Sequence, residues 1–273
     1  MTFYSLAEKA LQSADIDEKA SAISRLMRYC STGDDRPESG FAPWSFEAPS
    51  YASRCRIVDP RELPRRRSFD TPKGLAILLH AIAHIEYSAV DLALDAVYRF
   101  PAMPTAFRRD WLEVAEDEVR HFRMLEAILE ELGYRYGDFP VHRGLFDAAK
   151  HTEGDILHRM AVIPRHYEAT GLDVNPRIME KLRPFAHKEA VATTIEALET
   201  IYREEIDHVR KGDRWFRYCC EQRGLESERT FREILDRYDL RKRQGNFLNV
   251  PARKAAGFTC AELKDLGAAE CED

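Results

Sequence analysis

Two copies of a short motif, Glu-x-x-His, are the residues in this sequence best suited to chemistry. They are Glu118 with His121 and Glu205 with His208. Residues three apart lie on the same side of a helix, so each copy presents a carboxylate and an imidazole together. These donors suit iron and manganese, whereas a structural zinc site would favour thiolates. The motif predicts a metal centre whose ligands lie on helices.

Two more glutamates, Glu86 and Glu168, lie within apolar stripes at helical spacing, as do Glu118 and Glu205. A carboxylate buried without a partner costs on the order of several kcal/mol, so four in one core need strong compensation. Two divalent cations would balance their charge. The residues predicted to bind metal and to be catalytic are Glu86, Glu118, His121, Glu168, Glu205 and His208.

Ion pairing is the alternative explanation for these glutamates. A lone Glu-x-x-His in a helix-rich chain is usually a solvated pair, and motif matches carry a false-positive risk. Glu118 and Glu205 would then pair with arginines close to them in sequence, but those arginines fall off the apolar stripes. The arginines concerned are Arg120, Arg123, Arg203 and Arg210. Repetition of the motif, with two matched glutamates, favours the metal centre.

Four long helices between residues 71 and 224 must position these ligands. Thr71-Pro72 is a helix N-cap followed by proline at the first helical position, and Gly133 is a helix stop signal. A short helix is expected after Asn175-Pro176. The predicted long helices run from Thr71 to Phe100, Thr105 to Leu132, Phe146 to Thr170 with interruptions at Gly154 and Pro164, and Phe185 to Gln222.

Distances along the chain give a check on the pairing of these helices. Glu86 lies 15 residues before Pro101, and Glu118 lies 14 after Pro104. At 1.5 Å per residue, both are about 21 Å from their connecting turn, so antiparallel helices would bring them level. The same test does not align Glu168 with Glu205. Pro164 additionally indicates a kink or bulge one turn before Glu168.

The flanking segments complete an all-α prediction. Residues 1–70 are expected to form short helices over 3–29 and then an ordered, proline-rich and aromatic wrap. Residues 71–224 form the four-helix bundle. Residues 225–273 add a helix from Ser227 to Tyr238 and an irregular tail from Arg241 that packs on the bundle.

Composition excludes several classes of protein. With 41 Lys and Arg against 47 Asp and Glu, the net charge of -6 gives no global attraction to nucleic acid or to an anionic membrane. The six cysteines form no C-x-x-C pair, so we expect reduced thiols and a cytoplasmic location. No uninterrupted apolar run has the length of a membrane span. We expect no membrane association.

Five stretches of the sequence resemble the ferritin-like superfamily, and more closely a bacterial family of ferritin-like proteins of unknown function. They are HAIAHIEYSAVDLALDA (80–96), EDEVRHF (116–122), IPRHYEATGLDVNP (163–176), EEIDHV (204–209) and NVPARKAAGF (249–258). The ligand pattern is also similar to that of rubrerythrins and of the tRNA-modifying di-iron hydroxylase. The resemblance supports Glu168, which lies in the third stretch. It implies a ferritin-like four-helix bundle, two iron ions with manganese as the alternative, and oxygen or peroxide chemistry.

An oxidoreductase that activates dioxygen or peroxide is the leading functional prediction. An external electron donor is expected, because the chain has neither a Gly-rich dinucleotide motif nor a cysteine set for an iron-sulfur cluster. The alternatives are iron or manganese handling without an organic substrate, and a metal-free helical scaffold. The sequence also leaves open a homodimer and either a small-molecule or an RNA substrate.

Two basic runs are the feature that would serve an RNA substrate, by contacting phosphates. Such runs are more often solvated surface. The residues are Arg61, Arg65, Arg66, Arg67, Arg237, Arg241, Lys242 and Arg243.

Overall fold

The structure is a computed structural model that describes residues 1–241 and 248–272. Most of these residues are helical, and among them there is no named strand and one isolated β-bridge, between Ile57 and Val141. The all-α prediction is confirmed. Lys242 and Arg243 of the basic runs lie outside the described residues. The chain divides into two compact units, Met1–Lys150 with Leu182–Ala197, and His151–Lys181 with Leu198–Asp273.

The first unit is built around two long helices that pack against each other, α3 and α4. The Thr71 hydroxyl accepts a hydrogen bond from the Gly74 amide at 3.1 Å and begins α3, as the sequence predicts. Gly133, with φ of 81°, follows the end of α4. The α-helices are α1 (Phe3–Gln12), α2 (Ile16–Thr32), α3 (Pro72–Arg99), α4 (Thr105–Glu131) and α5 (Gly144–His151), with 3₁₀ turns at Ser50–Ser53 and Pro60–Glu62.

Helix α3 is long and apolar enough to cross a membrane by length and composition, with a mean hydropathy of 1.4 over its most apolar window. Within the protein, however, 78% of that window is buried. The buried side chains include His80, His84 and Glu86, which a lipid environment would disfavour. Helix α3 therefore has the environment of a core helix in a soluble protein.

The second unit contains shorter helices and most of one long helix, α8. A π-helical segment, Ile163–Glu168, directly follows α6 and continues into α7. The α-helices are α6 (Ile156–Val162), α7 (Ala169–Leu182), α8 (Glu189–Gln222), α9 (Ser227–Arg237), α10 (Val250–Ala255) and α11 (Cys260–Asp265).

The predicted helix end at Gly171 is wrong, because α7 continues through Gly171 and Pro176 to Leu182. Proline has no amide proton, so Pro176 cannot donate to the Leu172 carbonyl one turn earlier. Instead the Asn249 side chain donates to that carbonyl at 3.1 Å. Asn249, which is distant in sequence, thereby provides the hydrogen bond that the Leu172 carbonyl cannot receive from Pro176.

The prediction of an irregular tail is also wrong for the part that the structure describes, since it contains α10 and α11. Asn249 caps α10 by accepting from the Ala252 amide. Thr259 and Glu262 form a capping box at the start of α11. The T-x-x-E spacing is a helix-start signal present in the sequence.

A disulfide between Cys260 and Cys271 corrects the prediction that all six cysteines are reduced. The two residues are 11 apart in a pattern that matches no disulfide or metal motif. Only the fold of the C-terminal segment brings them together. The remaining thiols are buried, and they are Cys30, Cys55, Cys219 and Cys220.

Candidate metal centre

In the first unit, Glu86 from α3 meets Glu118 and His121 from α4. The Nδ1 atom of His121 lies 3.2 Å from an Oε of Glu86 and 3.4 Å from an Oε of Glu118. The three residues are at most 4% exposed. Glu86 and Glu118 therefore do lie level, as their equal distances from the connecting turn predict.

The electrostatics of this cluster are unusual for a histidine. Burial alone would lower the pKa of His121, but hydrogen bonds with Glu118 and Glu86 outweigh burial and raise the pKa to about 11. The cluster thus strongly attracts a positive charge at its centre, which a proton on the imidazole supplies. One ligand atom from each of the three residues lies within 4.8 Å of the others. This buried cluster of acids and histidine can hold a metal ion.

In the second unit, Glu205 and His208 lie one turn apart on α8. The Nδ1 atom of His208 is 3.5 Å from an Oε of Glu205. The His208 side chain is fully buried, and that of Glu205 is 13% exposed. The second Glu-x-x-His copy therefore presents the same two donors as the first.

Glu168 ends the π-helical segment, where its side chain is half-buried. The irregularity expected at Pro164 takes the form of this π-helix, a geometry that often occurs at functional sites. Gly212 of α8 makes room for it. A Cβ atom at Gly212 would lie 2.2 Å from the Pro164 Cβ, so only glycine allows this approach.

Arg165 anchors the π-helical segment from inside the second unit. It is fully buried, lies 3.0 Å from Asp213, and donates to Glu262 at 2.7 Å. Its guanidinium stacks within 4.7 Å of three ring centroids, those of Phe216, Phe231 and Phe258. Sequence reasoning missed this residue, because its partners are distant in the chain. Arg165 lies three residues before Glu168, in the stretch 163–176 that resembles the ferritin-like family. That position is the sequence signal that could have indicated its importance.

Three of the arginines offered as alternative partners for the glutamates form ion pairs with aspartates. Arg120 pairs with Asp117 at 2.7 Å, and Arg210 pairs with Asp207 at 3.0 Å. Arg123 pairs with Asp17. These pairs are solvent-exposed and are the surface interactions expected of residues off an apolar stripe.

Comparison with known proteins identifies the family. The model of a family described as "Protein of unknown function (DUF455)" matches residues 12–264. The chain belongs to this family. A protein of Haemophilus influenzae described as uncharacterized is 38% identical over 274 residues, covering 96% of this chain and 92% of that protein. No solved structure matches.

His80 and His84 are buried histidines of α3 that form hydrogen bonds with the loop after α4. The His80 Nε2 atom accepts from the Gly137 amide at 2.9 Å. The His84 ring bonds the Tyr136 hydroxyl and the His142 carbonyl, both at 2.9 Å. Since a carbonyl only accepts, Nε2 of His84 carries the proton and Nδ1 accepts from Tyr136. Both rings are buried and are held by hydrogen bonds to protein groups.

The described residues of the two basic runs are exposed. Arg241 pairs with Asp236 at 2.9 Å. The other exposed members are Arg61, Arg65, Arg66, Arg67 and Arg237. Their contact with RNA stays a prediction.

Proposed function

We propose that this protein is a di-metal carboxylate oxidoreductase of the ferritin-like type, with about two iron ions bound by six side chains. The observation that carries the proposal is the buried His121 imidazole held by two carboxylates. The proposed ligands are Glu86, Glu118, His121, Glu168, Glu205 and His208.

The donor set fits such a centre. Carboxylate oxygen and imidazole nitrogen are ligands for iron and manganese, and no thiolate belongs to the set. In the first unit the buried acids already concentrate negative charge on one point, which a cation would neutralise. The second unit offers a matching Glu-x-x-His pair on α8. We propose that the two sets of donors converge on the same pair of ions.

Bound iron would supply redox chemistry toward dioxygen or peroxide. The protein's own residues prepare the position. Burial of Glu86, Glu118 and His121 keeps bulk water from the donor atoms. Because only the neutral Nδ1 of His121 can bind a cation, binding must release the proton that the carboxylates hold there. The proposal includes an external electron donor.

Metal content tests the proposal directly. Protein purified from iron-supplied cells should contain about two metal ions per chain. The reduced protein should change its optical spectrum on exposure to dioxygen. Glu118→Gln should lower the content below about one ion, because it removes a charged ligand. Glu116→Gln is the matched control, since Glu116 lies exposed on the same helix.

A second pair of variants tests convergence of the two sets of donors. If they share ions, Glu205→Gln and Glu86→Gln should reduce metal content to a similar degree. Wild-type protein with less than about one metal ion per chain, or a content unchanged by Glu118→Gln, would contradict the metal centre. Normal metal loading without any spectral response to dioxygen or peroxide would instead favour metal handling.

A further inference from the structure

The C-terminal segment carries a cysteine pair unlike the other thiols of the chain. Cys260, at the start of α11, is joined to Cys271, which is half-exposed. The other four cysteines are buried. Burial raises the pKa of Cys30, Cys219 and Cys220 to about 11, and a thiol that stays protonated reacts slowly. Solvent therefore reaches the cysteine pair at Cys271 more readily than it reaches the buried thiols.

Helix α11, which begins at the disulfide-bonded Cys260, carries a buried acid, Glu262, that lies in the interior of the second unit. Glu262 is 2% exposed. One carboxylate oxygen accepts from Arg165 at 2.7 Å, and the other accepts from Arg217 at 3.2 Å. The Thr259 amide also donates to it at 3.0 Å. The start of α11 and the position of Arg165 are thus joined by direct hydrogen bonds.

Arg165 is itself a residue of the π-helical segment, so its hydrogen bond with Glu262 links α11 to that segment. The segment packs on α8 at Gly212 and ends at Glu168. A continuous set of contacts therefore runs from the disulfide through Glu262 and Arg165 to the backbone that holds Glu168.

We propose that Cys260 and Cys271 are a reversible redox site that controls how firmly Glu262 and Arg165 hold the π-helical segment. The oxidised pair fixes the start of α11 and keeps Glu262 on Arg165. Reduction releases the segment after α11 and loosens the π-helical segment. The consequence for metal binding rests on the proposed function, because it requires Glu168 to be a ligand.

The chemistry is thiol–disulfide exchange with a dithiol reductant. A reductant thiolate attacks the half-exposed Cys271 sulfur, the Cys260–Cys271 bond breaks, and its electron pair goes to the Cys260 sulfur, which takes a proton. The second reductant thiol then attacks the mixed disulfide. Cys271 leaves as a thiolate and the reductant becomes a disulfide. Oxidation by glutathione disulfide reverses these steps and yields two molecules of glutathione.

Thiol labelling of the native, full-length protein tests the first part. Equilibration in glutathione buffers of stepped potential should give a single two-electron transition, with maleimide labelling of two additional cysteines in the reduced form. Resistance of the native pair to excess dithiothreitol would overturn the proposal, because the disulfide would then be purely structural. A pair that stays reduced in glutathione disulfide would overturn it as well.

Hydrogen exchange of metal-free protein tests the coupling. Reduction should accelerate amide exchange at least about threefold both in α11 and in a peptide covering residues 161–170. Cys271→Ser should behave like the reduced wild type under oxidising conditions. Asp265→Asn is the matched control, because Asp265 lies on α11 but pairs with the exposed Arg232, and it should behave like the oxidised wild type. Acceleration confined to residues after 266 would overturn the coupling.

Metal titration separates this inference from the proposed function. Reduction should weaken binding of Mn²⁺, used as an air-stable probe, severalfold, and Cys271→Ser should reproduce that loss. Protein that binds no metal in either redox state would sink the proposed function, while the exchange measurement on metal-free protein would still decide the redox coupling.

Discussion

The two Glu-x-x-His motifs of this protein have the same donors but different support. In the first unit, Glu86 and Glu118 extend from regular helices, and their contact with His121 follows from helix spacing. In the second, Glu168 is the last residue of a π-helical segment that is held by the buried Arg165 and by close contact with Gly212. Regular backbone needs little besides an apolar stripe to aim a ligand. Irregular backbone needs specific partners, and this difference can be tested.

Arg165→Met should have the largest effect on the second unit. It would remove the fully buried guanidinium from between Asp213 and Glu262 and leave them only the partly exposed Arg217, and breaking a buried ion pair typically costs about 3–5 kcal/mol. Urea denaturation followed by circular dichroism would measure the change in free energy of unfolding. Arg210→Met is the control, because its exposed pair with Asp207 should contribute less than about 1 kcal/mol. Equal losses for both variants would show that the buried arginine has no special role.

His80→Gln should change the pH dependence of the first unit. Burial lowers the pKa of His80 to about 4, below the ordinary value of 6.5. The unfolded chain therefore binds the proton first, so the stability from neutral His80 is present above pH 6.5 and lost as the pH falls to about 4.

The loss attributable to His80 is about 2–3 kcal/mol across that window. Glutamine keeps an acceptor for the Gly137 amide but does not titrate. Unfolding free energies measured from pH 4 to 7 should thus fall less steeply for the variant. Parallel curves for variant and wild type would refute the assignment.

Gly212→Ala should loosen the π-helical segment. The new methyl group would lie 2.2 Å from the Pro164 Cβ, so the two backbones must separate, at about 1–3 kcal/mol. Gly171→Ala is the control, since nothing lies within 4 Å of a Cβ there and alanine favours helix. Thermal unfolding should show the first variant less stable and the second at least as stable as wild type. An unchanged melting temperature for Gly212→Ala would show that the π-helical segment does not depend on its contact with Gly212.

The bond from Asn249 to the Leu172 carbonyl should have the smallest effect, about 1 kcal/mol. Asn249→Ala removes this bond together with the side-chain cap of α10, so the bond has to be separated from the cap. A double-mutant cycle with Pro176→Ala isolates this bond. Alanine at 176 restores a helical amide, so Asn249→Ala should cost less in that background. Additive changes in unfolding free energy would show that Asn249 does not compensate for the proline.

Local sequence signals predicted the parts of the fold that depend on local interactions. Thr71, Pro72 and Gly133 marked the limits of α3 and α4, because caps and stops act within a few residues. Apolar stripes placed Glu86, Glu118 and His121 in the core, where burial confirms them. The continuation of α7 through Pro176 was not predictable in this way, since its compensating donor is at residue 249.

The sequence by itself determined the all-α class, the long helices α3, α4 and α8, and the two pairs of donors suited to a metal, because helical periodicity and capping are short-range. Tertiary structure decided the features that join distant segments. These are the Cys260–Cys271 disulfide, the burial of Arg165 between Asp213 and Glu262, and the approach of Pro164 to Gly212. Each depends on which surfaces meet after the helices have formed, and no spacing along the chain encodes that meeting directly.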